Sequence, residues 1–147
     1  MKVLLSWLRE FAPIEGDPYE LADHMSDLGM AVEETRILNP LEGVVVARVA
    51  DLRPHPKADR IQLVDVEIEN GDPMQVCCGA FNMSVGDLIP FATIGTVMPD
   101  GMEISQREMR GEMSNGMCCS AAELGLGSDH DGIMILPEHL ETGAPLM

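Results

Sequence analysis

Four cysteines in two adjacent pairs, Cys77-Cys78 and Cys118-Cys119, are the first residues whose chemistry needs weighing. Thiolates at tetrahedral spacing would mean zinc, but structural zinc sites use C-x2-C or longer pairs that let both sulfurs face one ion. Neighbours on a strand point to opposite faces, so each pair offers a common site at most one sulfur, and His from elsewhere would have to complete it. There is no C-x-x-C redox motif, and packing as small buried hydrophobes is the simpler reading; no metal site is expected. Asp129-His130-Asp131-Gly132 sets two carboxylates beside an imidazole, a group able to serve acid/base work or a metal. The same residues are what a tight turn requires, since Asp caps its own backbone and Gly reaches positive φ. The chain has no G-x-S-x-G elbow, no P-loop and no G-x-G-x-x-G between a strand and a helix, and no catalytic residue is expected.

The charge pattern is more informative. Residues 48–60 hold Arg48, Arg53, Lys57 and Arg60 against Asp51 and Asp59, four cations to two carboxylates and a local charge of +2, to which His55 adds on protonation. Arg107 and Arg110 form a second group, balanced by Glu108 and Glu112. Both stand in a chain with 9 Lys+Arg, 25 Asp+Glu and a formal charge of -16, a negative far field that repels polyanions. Aromatic residues are 3% while Met reaches 12, so few rings are available for bases to stack on. RNA recognition here would rest on shape and backbone contacts; scattered solvated charge is the competing reading of both groups.

These residues must be held by something of modest size. A chain of 147 residues is one domain, or one domain with a small appendage. At 46% hydrophobic and 23% charged it is globular rather than disordered. No run nears the roughly 18 to 20 apolar residues that cross a bilayer, and Arg9 and Glu10 interrupt the N-terminus before a signal core forms. A cytoplasmic protein with free thiols is expected.

Residues 1–38 read as an α+β piece with a boundary near Asn39-Pro40. A short helix is predicted over 6–11, and a second starts at Asp17-Pro18, with Asp as N-cap and Pro at the first helical position, and stops at Gly29. A strand over 31–38 should follow. This piece is too small to hold a core by itself. From Gly43 onward the signals are β: a Val-rich strand over 43–52, then Val64-Asp65-Val66-Glu67-Ile68-Glu69, whose alternation turns Val64, Val66 and Ile68 inward and three carboxylates into water. Asn70-Gly71-Asp72-Pro73 turns the chain, so residues 61–78 read as a hairpin. Further strands are predicted over 88–94, 103–109 and 133–136, with a short helix over 120–124. Such a series makes a compact barrel or sandwich; about five strands suit an OB-type Greek-key barrel, whose first inter-strand loop, here the cationic segment, borders the face where oligonucleotides lie. Periodicity does not choose between these.

Read in order, His55-Pro56-Lys57-Ala58-Asp59-Arg60, Val76-Cys77-Cys78-Gly79-Ala80-Phe81-Asn82, the run from Met109-Arg110-Gly111 to Cys118-Cys119-Ser120, Glu123-Leu124-Gly125-Leu126 and Asp129-His130-Asp131-Gly132-Ile133 form a series. It resembles the tRNA-binding OB domain near the N-terminus of bacterial phenylalanyl-tRNA synthetase β subunits, and the opening Met1-Lys2-Val3 and the stretch 29–33 are similar to the first residues of that family. The resemblance implies a five-stranded OB barrel over 39–147, inserted in a small α+β domain of which 1–38 is one half. It implies a fragment of a longer subunit, with tRNA as partner and an α subunit reached through the full heterotetramer. Catalysis with ATP and magnesium would lie in the α subunit and editing in a later β domain, leaving no catalytic site and no cofactor in this chain. Lys57, Arg60 and Arg110 would contact phosphates, Asn82 and Ser120 would add polar contacts, and Arg53, His55 and Arg107 complete the candidate surface. The alternative is a structural interdomain module that touches little or no RNA. Where the family has Ala-Pro-Asn this chain has Ala80-Phe81-Asn82, and Cys77 and Cys118 are extra beside the matching Cys78 and Cys119.

Overall fold

The computed structural model describes residues 1–36, 41–69 and 71–146. The chain divides into two compact units, Met1–Leu38 and Asn39–Met147; the join expected at Asn39-Pro40 lies outside the described residues.

The first unit contains α1 (Leu5–Phe11) and α2 (Pro18–Asp27). Asp17 opens α2 with a capping box: its carboxylate accepts from Tyr19 N–H at 2.7 Å and its own N–H donates to Glu20 Oε2 at 3.4 Å, satisfying donors that the first turn leaves unpaired. The helix closes in a Schellman motif, with Gly29 N–H on Ser26 O at 3.0 Å and Met30 N–H on Met25 O at 2.9 Å. No residue of either helix is buried. The strand predicted over 31–38 is absent from its described part, residues 31–36, and positions 37 and 38 lie outside the described residues. A strand needs a ladder partner, and no strand exists among the described residues of this unit to supply one.

The second unit is mainly β: β1 (Val44–Pro54), β2 (Gln62–Glu67), β3 (Met74–Cys78), β4 (Leu88–Ala92), β5 (Arg107–Met109), β6 (Glu112–Ser114) and β7 (Met117–Cys118). Five of them form an antiparallel sheet in the order β3-β2-β1-β4-β7, curled into a nearly closed OB-like barrel, while β5 and β6 make a separate hairpin. The long β1 makes the curl possible. Its first half pairs with β4 and its second with β2, and the register shifts between Val49 and Asp51, a bulge that bends the strand. The edge strands β3 and β7 come together. The free edge of β3 is covered rather than left open: Cys77 N–H donates to Ser114 Oγ at 3.0 Å, and Asn115 N–H and Nδ2 both donate to Gln75 O, at 3.0 and 3.1 Å.

Inside the barrel, Ala47, Val49, Val64, Val66, Val76, Ile89 and Phe91 are fully buried, and Cys78 and Cys118 join the cluster while keeping slight exposure; burying a side chain of Val to Phe size contributes roughly 1.5–3 kcal/mol. The alternation read in β2 holds for Val64 and Val66, and Ile68 packs against the same cluster. Asp65 departs from it, being only 23% exposed and ion-paired. A second cluster gathers Leu41, Val44, Ala92, Met98, Ile104, Cys119 and Leu124 outside the barrel. Cys118, the last residue of β7, and Cys119, just beyond it, thus face different cores, as successive residues of an extended chain should.

Three predicted elements are shortened or replaced. Of 103–109 only Arg107–Met109 is strand, with Glu103 in an isolated bridge to Val97. Residues 133–136 run extended without a ladder: Met134 N–H reaches Cys119 O at 3.1 Å and Leu136 N–H reaches Leu88 O at 2.7 Å, so their bonds go to two different segments. The helix predicted over 120–124 is a run of turns. It begins as a helix would, with Ser120 N–H on Glu123 Oε2 at 2.7 Å and Glu123 N–H on Ser120 Oγ at 3.3 Å, but Gly125 and Gly127 follow at once, and glycine propagates a helix poorly.

Candidate nucleic-acid interface

The loop from β1 to β2 is fastened through His55, which is 6% exposed. Its Nδ1 accepts Lys57 N–H at 3.0 Å, which leaves the proton on Nε2 to donate to Met109 O at 2.9 Å. One imidazole therefore shapes its own loop and ties that loop to the end of β5. Met109 and Glu112 are paired, leaving Arg110 and Gly111 as a two-residue hairpin connection, with φ of 51° and 92°. Positive φ at both places marks a type I′ turn, which matches the strand twist; Gly adopts it without strain and Arg does not. The turn carries Arg110 to the loop, where its Nη1 donates to Lys57 O at 3.1 Å. A Cβ on Gly111 would stand 3.5 Å from Lys57 Nζ, so the ammonium lies over the turn itself.

Lys57 and Arg110, exposed cations from elements 53 residues apart, are thus brought side by side. Arg60 is exposed on the same loop, and among the described residues none of the three is in an ion pair. Arg107 is also exposed, two positions before Met109 on β5, beside a small cavity of about 70 Å³ lined by Cys77, Ile104 and Ser114.

The other expected contacts have protein partners. Arg53 forks onto both oxygens of Asp65, reaches Asp51 at 3.2 Å and donates to Gln75 Oε1 at 3.1 Å. Hydrogen bonding to Asp65 above all, with Asp51, holds its pKa above the ordinary guanidinium value despite some desolvation. Asn82 brackets Ile133, accepting from its N–H at 3.0 Å and donating to its O at 2.8 Å. Ser120 is buried in its turn with Glu123. Arg48 donates to Gly86 O at 3.1 Å. Gln75 is the residue that sequence reasoning passed over: it joins Arg53 to Glu112, donating to Glu112 Oε2 at 3.0 Å. Glu112 is thereby engaged away from Arg110, and no local pattern in the sequence signals this.

Beside the interface opens a cleft of roughly 720 Å³. Its walls include Cys78 and Cys118, and the exposed ring of Phe81 stands there with Asn82, Ser120 and His130. The turn 129–132 forms part of the wall, with Asp131 N–H on Asp129 Oδ1 at 2.9 Å, the Asx geometry expected of Asp-rich turns. Among the described residues no three His, Cys, Asp or Glu side chains gather to hold a metal ion.

A family model described as a putative tRNA binding domain matches residues 44–145. The chain is 45% identical over 148 residues to the phenylalanine–tRNA ligase beta subunit of Nitratidesulfovibrio vulgaris, covering 100% of this chain and 18% of that protein. It is 44% identical to the same subunit of Salinibacter ruber, covering 99% of this chain and 19% of the relative. The part matched in these relatives is N-terminal, and the chain spans about a fifth of their length. Among solved structures, the C-terminal domain of Plasmodium vivax p43 is similar at a TM-score of 0.52 and 16% identity, over 73% of this chain and 61% of that one. A MetRS-related protein from Pyrococcus horikoshii is similar at 0.53 and 15%, over 71% and 88%. At such identity these two likenesses concern the fold alone.

Proposed function

The chain belongs to the family of putative tRNA-binding domains, and from that premise we propose that it is the non-catalytic tRNA-contacting module of a phenylalanine–tRNA ligase β subunit. In this reading Lys57, Arg60 and Arg110 neutralise backbone phosphates, while Arg53, His55, Asn82 and Ser120 hold the loops that present them and Arg107 flanks the group. Residues 1–38 are half of a split α+β domain. Phenylalanine activation with ATP and magnesium belongs to the α subunit of a cytoplasmic heterotetramer, which supplies most of the tRNA affinity. No helix among the described residues is long and apolar enough to cross a membrane.

The observation that carries the reading is the Arg110 to Lys57 contact, which gathers unpaired cations in a molecule of charge -16. Distance decides which charge matters. At physiological salt the Debye length is about 8 Å, so carboxylates across the barrel are largely screened from a phosphate touching Lys57. Neutralising about three phosphates gives a log-log salt slope of about -2 to -3, with little base preference because the contacts are to backbone. Titration of tRNA at several salt concentrations measures that slope, and no binding even at low salt rejects direct recognition. Lys57→Glu with Arg60→Glu in the full enzyme should raise KM for tRNA; an unchanged KM assigns the module a structural, interdomain role.

A further inference from the structure

We propose that Cys78 and Cys118 are a peroxide-responsive thiol pair whose disulfide staples the seam of the barrel. The two residues sit on β3 and β7, the edge strands of the five-stranded sheet, which meet where the barrel is not closed by a ladder. Both side chains belong to the interior cluster, Cys78 at 8% and Cys118 at 4% exposure, and both line the open cleft, the route proposed for a small oxidant. Their neighbours in sequence cannot substitute. Cys119 faces the second core, and the Cys77 thiol is directed at Glu112 O, 3.9 Å away.

The surroundings separate the two roles such a pair needs. Cys78 sulfur accepts Ala80 N–H at 3.5 Å, and the neighbouring Cys118 thiol, as hydrogen-bond donor, is the largest influence lowering Cys78 from the ordinary thiol value to about 7 against its desolvation. Cys118 is held well above the ordinary value by the same contact and by burial, so it stays a thiol while Cys78 ionises. The Cys78 thiolate attacks hydrogen peroxide, breaking the O–O bond to give a sulfenic acid and hydroxide. The Cys118 sulfur, giving up its proton, then forms the S–S bond and the sulfenic oxygen leaves as water. Two thiols are oxidised and one peroxide is reduced. The pair is independent of any RNA contact, since neither sulfur lies among the cations described above.

Peroxide treatment of the protein followed by non-reducing peptide mapping tests the pair. The expected product is monomeric, lighter by two hydrogen atoms, joins Cys78 to Cys118, and reverts with a dithiol. At pH 7 a thiolate gain of about 16-fold over a thiol near 8.5, less about fivefold in nucleophilicity, makes alkylation of Cys78 about threefold faster than that of an equally accessible ordinary thiol. In Cys118→Ser the reaction should stop at a sulfenic acid on Cys78 that dimedone captures. The wild-type map stands by itself if that variant does not fold. Both thiols remaining free under peroxide that consumes a free cysteine, a link between molecules, or a Cys77–Cys78 link overturns the proposal.

Discussion

Arg110 donates to the carbonyl of Lys57 across 3.1 Å from a backbone at φ of 51°, so the turn that strains the arginine is the one that delivers its charge to the loop. Charge and strain are separable by substitution. Arg110→Gly keeps the type I′ turn and relieves the positive φ, so thermal stability should hold or rise slightly while the salt slope of tRNA binding loses about 1. Arg110→Ala removes the same charge but keeps the strain. Equal tRNA binding by Arg110→Gly and wild type in a salt titration would remove Arg110 from the interface.

Arg53 and Lys57 should show opposite phenotypes although they stand four positions apart. Arg53 is neutralised by Asp65 and Asp51 and bonded to Gln75, whereas Lys57 is in no ion pair among the described residues. Arg53→Gln should leave the salt slope unchanged and cost roughly 0.5–1.5 kcal/mol in urea unfolding, a figure kept low because the group is partly exposed. Lys57→Gln should lower the slope by about 1 and leave the urea midpoint in place. Paired titrations and unfolding curves for the two variants decide it.

That contrast also marks where the sequence was legible. The Asp17 N-cap with Pro18 after it and the Val64 and Val66 alternation are local signals, complete within a few residues, and both appear in the structure. Arg53 looked like an available cation because its partner Asp65 lies on the next strand, two residues along from Leu63, the residue that Arg53 faces. Register depends on the bulge at Val49 and Asp51, which no motif announces. The β5 and β6 hairpin was hidden for another reason: its strands have three residues each and its turn begins with Arg, a residue that turn rules do not place at positive φ. The cationic loop itself was visible; that Arg110 completes it was visible only through the family resemblance.

His55 should matter more for stability than for charge. It satisfies two backbone groups from a buried position. His55→Ala leaves Met109 O and Lys57 N–H without their partner, costing roughly 1–3 kcal/mol, and frees the loop that carries Lys57. Urea unfolding and protection of the Lys57 amide from hydrogen exchange should both report the loss.

At Gly116 the space a side chain would need is taken by a buried ring and a backbone carbonyl. A Cβ there would overlap the Phe91 ring and stand 2.8 Å from Ala92 O, at φ of 144°. Phe91 is fully buried at the register point opposite Cys118, so the ring has no space into which to move. Gly116→Ala should destabilise by roughly 2–4 kcal/mol with an unchanged urea m-value. A variant as stable as wild type would show that the β4 and β7 contact adjusts.

The thiols give the fold an alkaline signature of two opposite signs. Cys78 is held down to about 7 by Cys118, below the unfolded thiol value near 8.5. Between these values the unfolded chain binds more protons, so the Cys78 contribution to stability grows as pH rises and is lost as pH falls through 7. Cys119 is pushed up to about 12 by burial, with Glu123 adding to it; Cys77 is also raised by burial and neighbouring charge, and Cys118 by its hydrogen bond to Cys78 and by burial. Their contribution is complete below the unfolded value and disappears as pH climbs from there toward 12. Stability measured by urea unfolding under reducing conditions should therefore rise from pH 7 to about 8 and then fall, by up to about 1.4 kcal/mol per pH unit for each retained proton. Cys78→Ser should erase the rising limb and leave the fall; Cys119→Ala should make the fall shallower whatever it costs in packing, because the slope counts protons and not contacts. A rising limb that survives Cys78→Ser would mean that another group supplies it.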